Sequence, residues 1–184
     1  MSTPLSQRIA HTARVAHSVY LLSQLSIWWR GILVAQIQRT DHMTNWAHYL
    51  PTHADEEHLA AALAFALDRA KEAGTSLVLA VNNKRSASFL ENLFTAPLLN
   101  KLRLPSAIPC EGVSVTLEST QTFDKYNTYG MVLALHPSAK LLELIASNEK
   151  TGDVIVIGDA GDIDLAWLQA RGSRPLESSQ TTPD

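Results

Sequence analysis

A chain of 184 residues can bury one substantial core and is short for two full domains. Hydrophobic residues make up 46% and charged residues 18%, which excludes a chain too polar to fold. The net charge of −3 is unevenly spread: residues 1–40 carry Arg8, Arg14, Arg30 and Arg39 with no acid, leaving all 18 acids in the rest. That acidic body lacks the basic footprint needed to grip a phosphate backbone, so nucleic acid is not an expected partner.

Leu5, Ile9, Ala13, Ala16 and Tyr20 recur at helical spacing after Pro4, and the pattern continues through Leu21, Leu25, Trp28, Trp29, Ile32 and Ile37. Residues 1–39 therefore read as an apolar helical extension. Residues 20–37 approach the length of a membrane span, but Arg30 inside them makes insertion costly, and a docked helix is the expected state. The first twenty residues, free of acids and holding two arginines, also have transit-peptide composition. Trp28 and Trp29 are large rigid surfaces of the kind found at interface centres. Burying about 500 Å² of such apolar area contributes roughly 12 kcal/mol before ordering costs. Homodimerisation through this extension is the expected partnership.

Thr40 to Thr52 reads as a connecting loop, with 40–51 as a linker before an α/β domain over 52–175. A helix follows from Thr52 to Ala73, capped by Thr52 with Asp55 three places on, and stopped by Gly74. Its apolar stripe is Leu59, Leu63, Ala66, Leu67 and Ala70. Ser76 to Val81 is an unbroken apolar run, the pattern of a strand covered on both faces. After the turn Asn82-Asn83-Lys84-Arg85, Ser86 or Ser88 opens a helix that Pro97 interrupts. Val113 to Leu117 reads as a second strand nearer an edge, Gln121 to Thr128 as a loop, and Met131 to Leu135 as a third strand. Pro137 suits the first turn of the next helix. Asp153 to Ile157 is a fourth strand, and Asp162 is placed to cap a last helix stopped by Gly172. The Ser-, Thr- and Pro-rich residues beyond Gly172 are expected to lack fixed structure, with 176–184 as a tail.

Strand–helix alternation of this kind predicts a three-layer α/β/α sandwich, Rossmann-like, around a mostly parallel sheet of about four strands. Ligands of such sheets bind at the carboxyl ends of the strands, which selects three clusters. Asn82, Lys84, Arg85 and Ser86 form the first, and with Ser138 could hold a small anionic ligand. His136 to Ser138 is the second, with His136 a candidate general base. The third runs from Gly158 to Asp164, where Asp159 directly follows a strand, and Asp162 and Asp164 could help it hold Mg²⁺. Neither a spaced-glycine dinucleotide fingerprint nor a phosphate-binding loop ending in Lys-Ser or Lys-Thr occurs.

His42, His48, His53, Glu57 and His58 concentrate in one stretch. His53 and Glu57 share a helix face, but no pair of histidines brackets a glutamate at zinc-site spacing. Cys110, the single cysteine, excludes an intrachain disulfide and a thiolate metal site, and fits a reducing, cytoplasmic setting. The expected function is a small ligand-binding or interaction protein that self-associates through its N-terminal helices. The alternative is a metal-dependent enzyme acting on a phosphorylated or nucleotide-like substrate, with His136 and Asp159 as its catalytic pair.

Overall fold

The computed structural model describes residues 44–176. The helical extension with Trp28 and Trp29, the apolar segment 20–37, and residues 177–184 lie outside that range. In chain order the elements are β1 (Asn45–Tyr49), α1 (Glu56–Glu72), β2 (Leu77–Val81), α2 (Leu90–Leu93), α3 (Ala96–Leu102) and β3 (Ile108–Cys110). They continue with β4 (Val113–Ser119), β5 (Tyr129–Leu135), α4 (Ala139–Ala146), β6 (Thr151–Ile157), α5 (Leu165–Gln169) and β7 (Arg174–Pro175). Among the described residues no helix is long and apolar enough to cross a membrane.

All seven strands join one sheet in the order β3-β4-β2-β5-β6-β1-β7, parallel except for β3. The four expected strands are its centre, and three more were not anticipated. The most consequential is β1, which lies inside the expected linker yet pairs with β6 along its whole length. Its sequence, Asn-Trp-Ala-His-Tyr, looks like loop because two of its side chains find polar partners far away. Asn45 Nδ2 donates to Asp153 Oδ1 (2.9 Å), and His48 Nδ1 lies 2.8 Å from Ser173 Oγ. Trp46 is buried and meets Trp167 edge to face at 5.7 Å, while the Arg171 guanidinium lies over the Trp167 ring.

Side chains alternate between two cores, as strand geometry requires. Leu77, Leu79, Met131, Leu133, Leu135 and Ile155 pack on one face with the stripe of α1 and with Leu90, Leu93, Leu99 and Leu102 of α2 and α3. Val78, Ala80, Val132, Ala134, Val154 and Val156 pack on the other with Leu141, Leu142 and Ile145 of α4 and Leu168 of α5. The result is the Rossmann-like three-layer arrangement, with seven strands instead of about four.

Helix starts shift slightly from expectation. Asp55, not Thr52, caps α1, its carboxylate accepting from the His58 N–H (3.0 Å). Ser138 caps α4, so Pro137 lies just before the cap, and Asp164, not Asp162, caps α5. Neither Ser86 nor Ser88 opens a helix: the chain turns there, and α2 is one short turn entered from Phe89. Pro97 lies in the first turn of α3, which starts at Ala96, instead of merely ending its predecessor.

The sheet's two borders are short and each holds a proline: Pro109 in β3 and Pro175 in β7. β3 joins β4 by a tight turn through Glu111 (φ 50°) and Gly112 (φ 86°), both left-handed.

Crossovers towards β3 run over the α1–α3 face, and crossovers towards β7 run over the α4–α5 face, as a single crossover hand demands. The chain thus leaves β2 and β5 to opposite faces, and does the same at β6 and β1. These are switch points, the positions at which open α/β sheets generally bind ligands, outside the carboxyl ends of the strands. The registers bring those ends level: Val81 opposite Ser119, and Ile157 opposite both Leu135 and Tyr49.

Candidate functional site

The rim above this level edge gathers Asn82, Thr120, His136, Asp159 and the loop from Leu50 to Asp55. At the β2/β5 switch point Asn82 works as a clamp. Its Nδ2 donates to the His136 carbonyl (2.7 Å) and its Oδ1 accepts from the Ser138 N–H (2.7 Å). Its own carbonyl accepts from Thr120 Oγ1 at 2.9 Å. The asparagine side chain expected to meet a ligand is therefore engaged in holding the β5–α4 turn.

His136 is the residue that this clamp positions. Its backbone is left-handed (φ 44°), uncommon for a residue with a side chain. The His136 N–H donates to the Ile157 carbonyl at 2.8 Å, and the Phe89 ring meets the imidazole at 5.4 Å. Gly158 lies beside it, and a Cβ there would press on Ile163 Cδ1 while only touching the His136 backbone. The imidazole is half-buried.

Asp159 sits at the β6/β1 switch point. Its Oδ1 accepts from the Ala54 N–H (2.7 Å), and its Oδ2 lies 3.3 Å from His53 Nδ1. The Ala54 hydrogen bond, followed by the His53 imidazole and then the charge of His136, holds its carboxyl below the usual range. A further hydrogen bond, Ala160 N–H to the Pro51 carbonyl (2.9 Å), ties the same two loops. Asp159 thus fastens the β1–α1 loop in addition to facing the rim.

Other expected site residues separate. Lys84 pairs with Glu118 (3.4 Å), both largely covered, instead of projecting as an anion clamp. Arg85 and Ser86 are exposed in the turn that runs from Asn82 to Phe89. Ser138 Oγ caps α4, accepting from the Leu141 N–H at 3.4 Å. Asp164 Oδ1 caps α5, and the Asp162 N–H donates to the Asp159 carbonyl within a turn. Among the described residues no group of three or more His, Cys, Asp or Glu side chains is placed to hold a metal ion, and Asp159, Asp162 and Asp164 do not converge.

Contributors to the rim that were missed in the sequence include Thr120 and His53, the latter read only through helix spacing. The signal for His53 was its place one residue before Ala54, in a loop that must pass the end of β6 once β1 is recognised as a strand. Cys110 is half-buried in the β3–β4 hairpin, and burial pushes its thiol up, away from a reactive thiolate. No family model matches the chain, and no curated protein does either.

Proposed function

We propose that the α/β domain is a small-ligand-binding module whose contact surface is the rim above β2 and β5. His136 is its imidazole contact, and Arg85 with Ser86 is the partner of an anionic group. One observation carries this reading: His136 is held in a costly left-handed conformation by a hydrogen bond to its N–H, another to its carbonyl and an aromatic ring, at a switch point. Backbone strain of about 1–3 kcal/mol persists where surroundings over-determine it, and such positions cluster at binding sites.

The test is an NMR titration of the full chain with inorganic phosphate, with and without Mg²⁺. Binding is expected to shift the amides of Arg85, Ser86 and His136, and Arg85→Ala is expected to weaken it at least tenfold. Shifts that are absent, or confined to distant residues, sink the proposal. A response at Asp159 and Asp162 that requires Mg²⁺ favours instead the metal-dependent enzyme with a phosphorylated substrate. For that alternative, the support is the Asp159 carboxylate lying within the electrostatic reach of both His53 and His136.

Self-association through residues 1–39 belongs to the same proposal and rests on their apolar helical spacing and the Trp28-Trp29 pair. Sedimentation of the full chain is expected to give a dimer that Trp28→Ala/Trp29→Ala weakens at least tenfold. A monomer at high micromolar concentration ends that part of the reading.

A further inference from the structure

At the border opposite β3, one histidine fastens the end of the described chain. His48 is only 7% exposed and its imidazole touches Ser173 Oγ, itself 8% exposed. The His48 carbonyl accepts from the Leu176 N–H at 2.7 Å, and His48 is the register partner of Pro175. Ser173–Leu176 has further ties, among them the packing of Leu176 against the core on the α1 face. β7 pairs with β1 at two positions, Pro175 has no N–H to offer, and the Ser173 N–H reaches back to Leu168 at 3.1 Å. Side chain, carbonyl and register of a single residue thus converge on this segment.

We propose that His48 is the pin of a pH-sensitive latch: protonation of its imidazole lifts Ser173–Leu176 from β1 and uncovers the outer edge of that strand. An imidazolium buried among Trp46, Val156 and the α5 turn loses its hydration, and the serine hydroxyl supplies no charge to offset the loss. Charged residues on the elements packed around it offer no compensation. Asp153 of β6 accepts from Asn45 at the other end of β1, while Arg174 of β7 and Arg171 after α5 are cations. Burial pushes the imidazole below its ordinary range.

The sign follows from linkage. With the latch open, the imidazole is hydrated and titrates near 6.5; with it closed, it titrates lower. The open form therefore gains protons first, and opening rises as pH falls below about 6.5, by up to about tenfold per pH unit, until the closed form also titrates. The rim plays no part in this, so the latch stands or falls independently of ligand binding.

Amide hydrogen exchange of the full chain between pH 7.5 and 5.0, corrected for intrinsic rates, reads the opening directly. Protection of the Leu176 amide is expected to fall at least fivefold towards pH 5.0, while amides of β5 keep theirs. His48→Gln, which cannot titrate, is expected to remove the pH dependence, and Ser173→Ala to loosen the segment already at pH 7.5. Unchanged protection in the wild type, or an equal fall in His48→Gln, overturns the proposal. Should the glutamine variant fail to fold, imidazole NMR of the wild type decides. Loss of Leu176 protection must track the His48 titration, and a histidine that titrates while Leu176 stays protected refutes the latch.

Discussion

Replacing Gly152 with alanine is expected to cost about 3 kcal/mol of stability and to lower the melting temperature by roughly 10 °C. At the amino ends of β5 and β6 the backbone is packed without room for side chains. A Cβ on Gly152 would fall on the Gly130 carbonyl oxygen, and the space where Gly130 would carry its own Cβ is filled by the Thr75 hydroxyl. The obstruction is main chain in the middle of a parallel sheet, so rotating a side chain cannot relieve it. β5 and β6 must separate, and both cores share that junction. Gly161 is the control, because nothing lies within 4 Å of a Cβ there. Its alanine variant is expected to melt close to the wild type. Thermal unfolding followed by circular dichroism separates the cases, and a Gly152→Ala melt within about 2 °C of wild type contradicts the packing described.

Asn148→Ala is the second large effect, at about 3 kcal/mol. Asn148 is 2% exposed and stands between α4 and β6. Its Nδ2 donates to the carbonyls of Asn127 (2.8 Å) and Asp124 (3.3 Å), and its Oδ1 accepts from the Lys150 N–H (2.8 Å). Truncation strips partners from two carbonyls and an amide at once, and each uncompensated buried group costs about 1–3 kcal/mol, less where water enters. The same bonds hold the β4–β5 crossover, so cleavage by a nonspecific protease is expected to move to residues 120–128 in the variant. A variant as stable as wild type in urea, or cut elsewhere, contradicts this account.

These two positions show where sequence reading stops. The central strands β2, β4, β5 and β6 were legible because hydrophobic burial writes itself locally: a run such as Leu-Val-Leu-Ala-Val allows few other readings. β1 was not legible, since His48 belongs in a strand only when Ser173, 125 residues away, is there to receive it. β3 and β7 are too short, and too interrupted by proline, to carry a period.

The site divides similarly. His136 and Asp159 could be nominated from their places at strand ends, and both are on the rim. That Asn82 is a clamp, that Lys84 is neutralised by Glu118, and that Asp159 accepts from Ala54 all depend on partners 34 to 105 residues distant. Cap positions slipped for the same reason. Thr52 is the local choice for the start of α1, but the loop it belongs to is tied across to β6, which leaves Asp55 at the first turn.

The prolines at both margins of the sheet also bear on what the protein does when concentrated. A neighbouring molecule that tried to extend the hydrogen-bonded ladder would meet, at either side, a residue with no amide to give. Stacking of the sheet into fibrils is thereby discouraged at its natural starting points. Among the described residues, the borders of the sheet thus favour contact through side-chain surfaces, whose geometry closes into small defined oligomers more readily than an open β-ladder does.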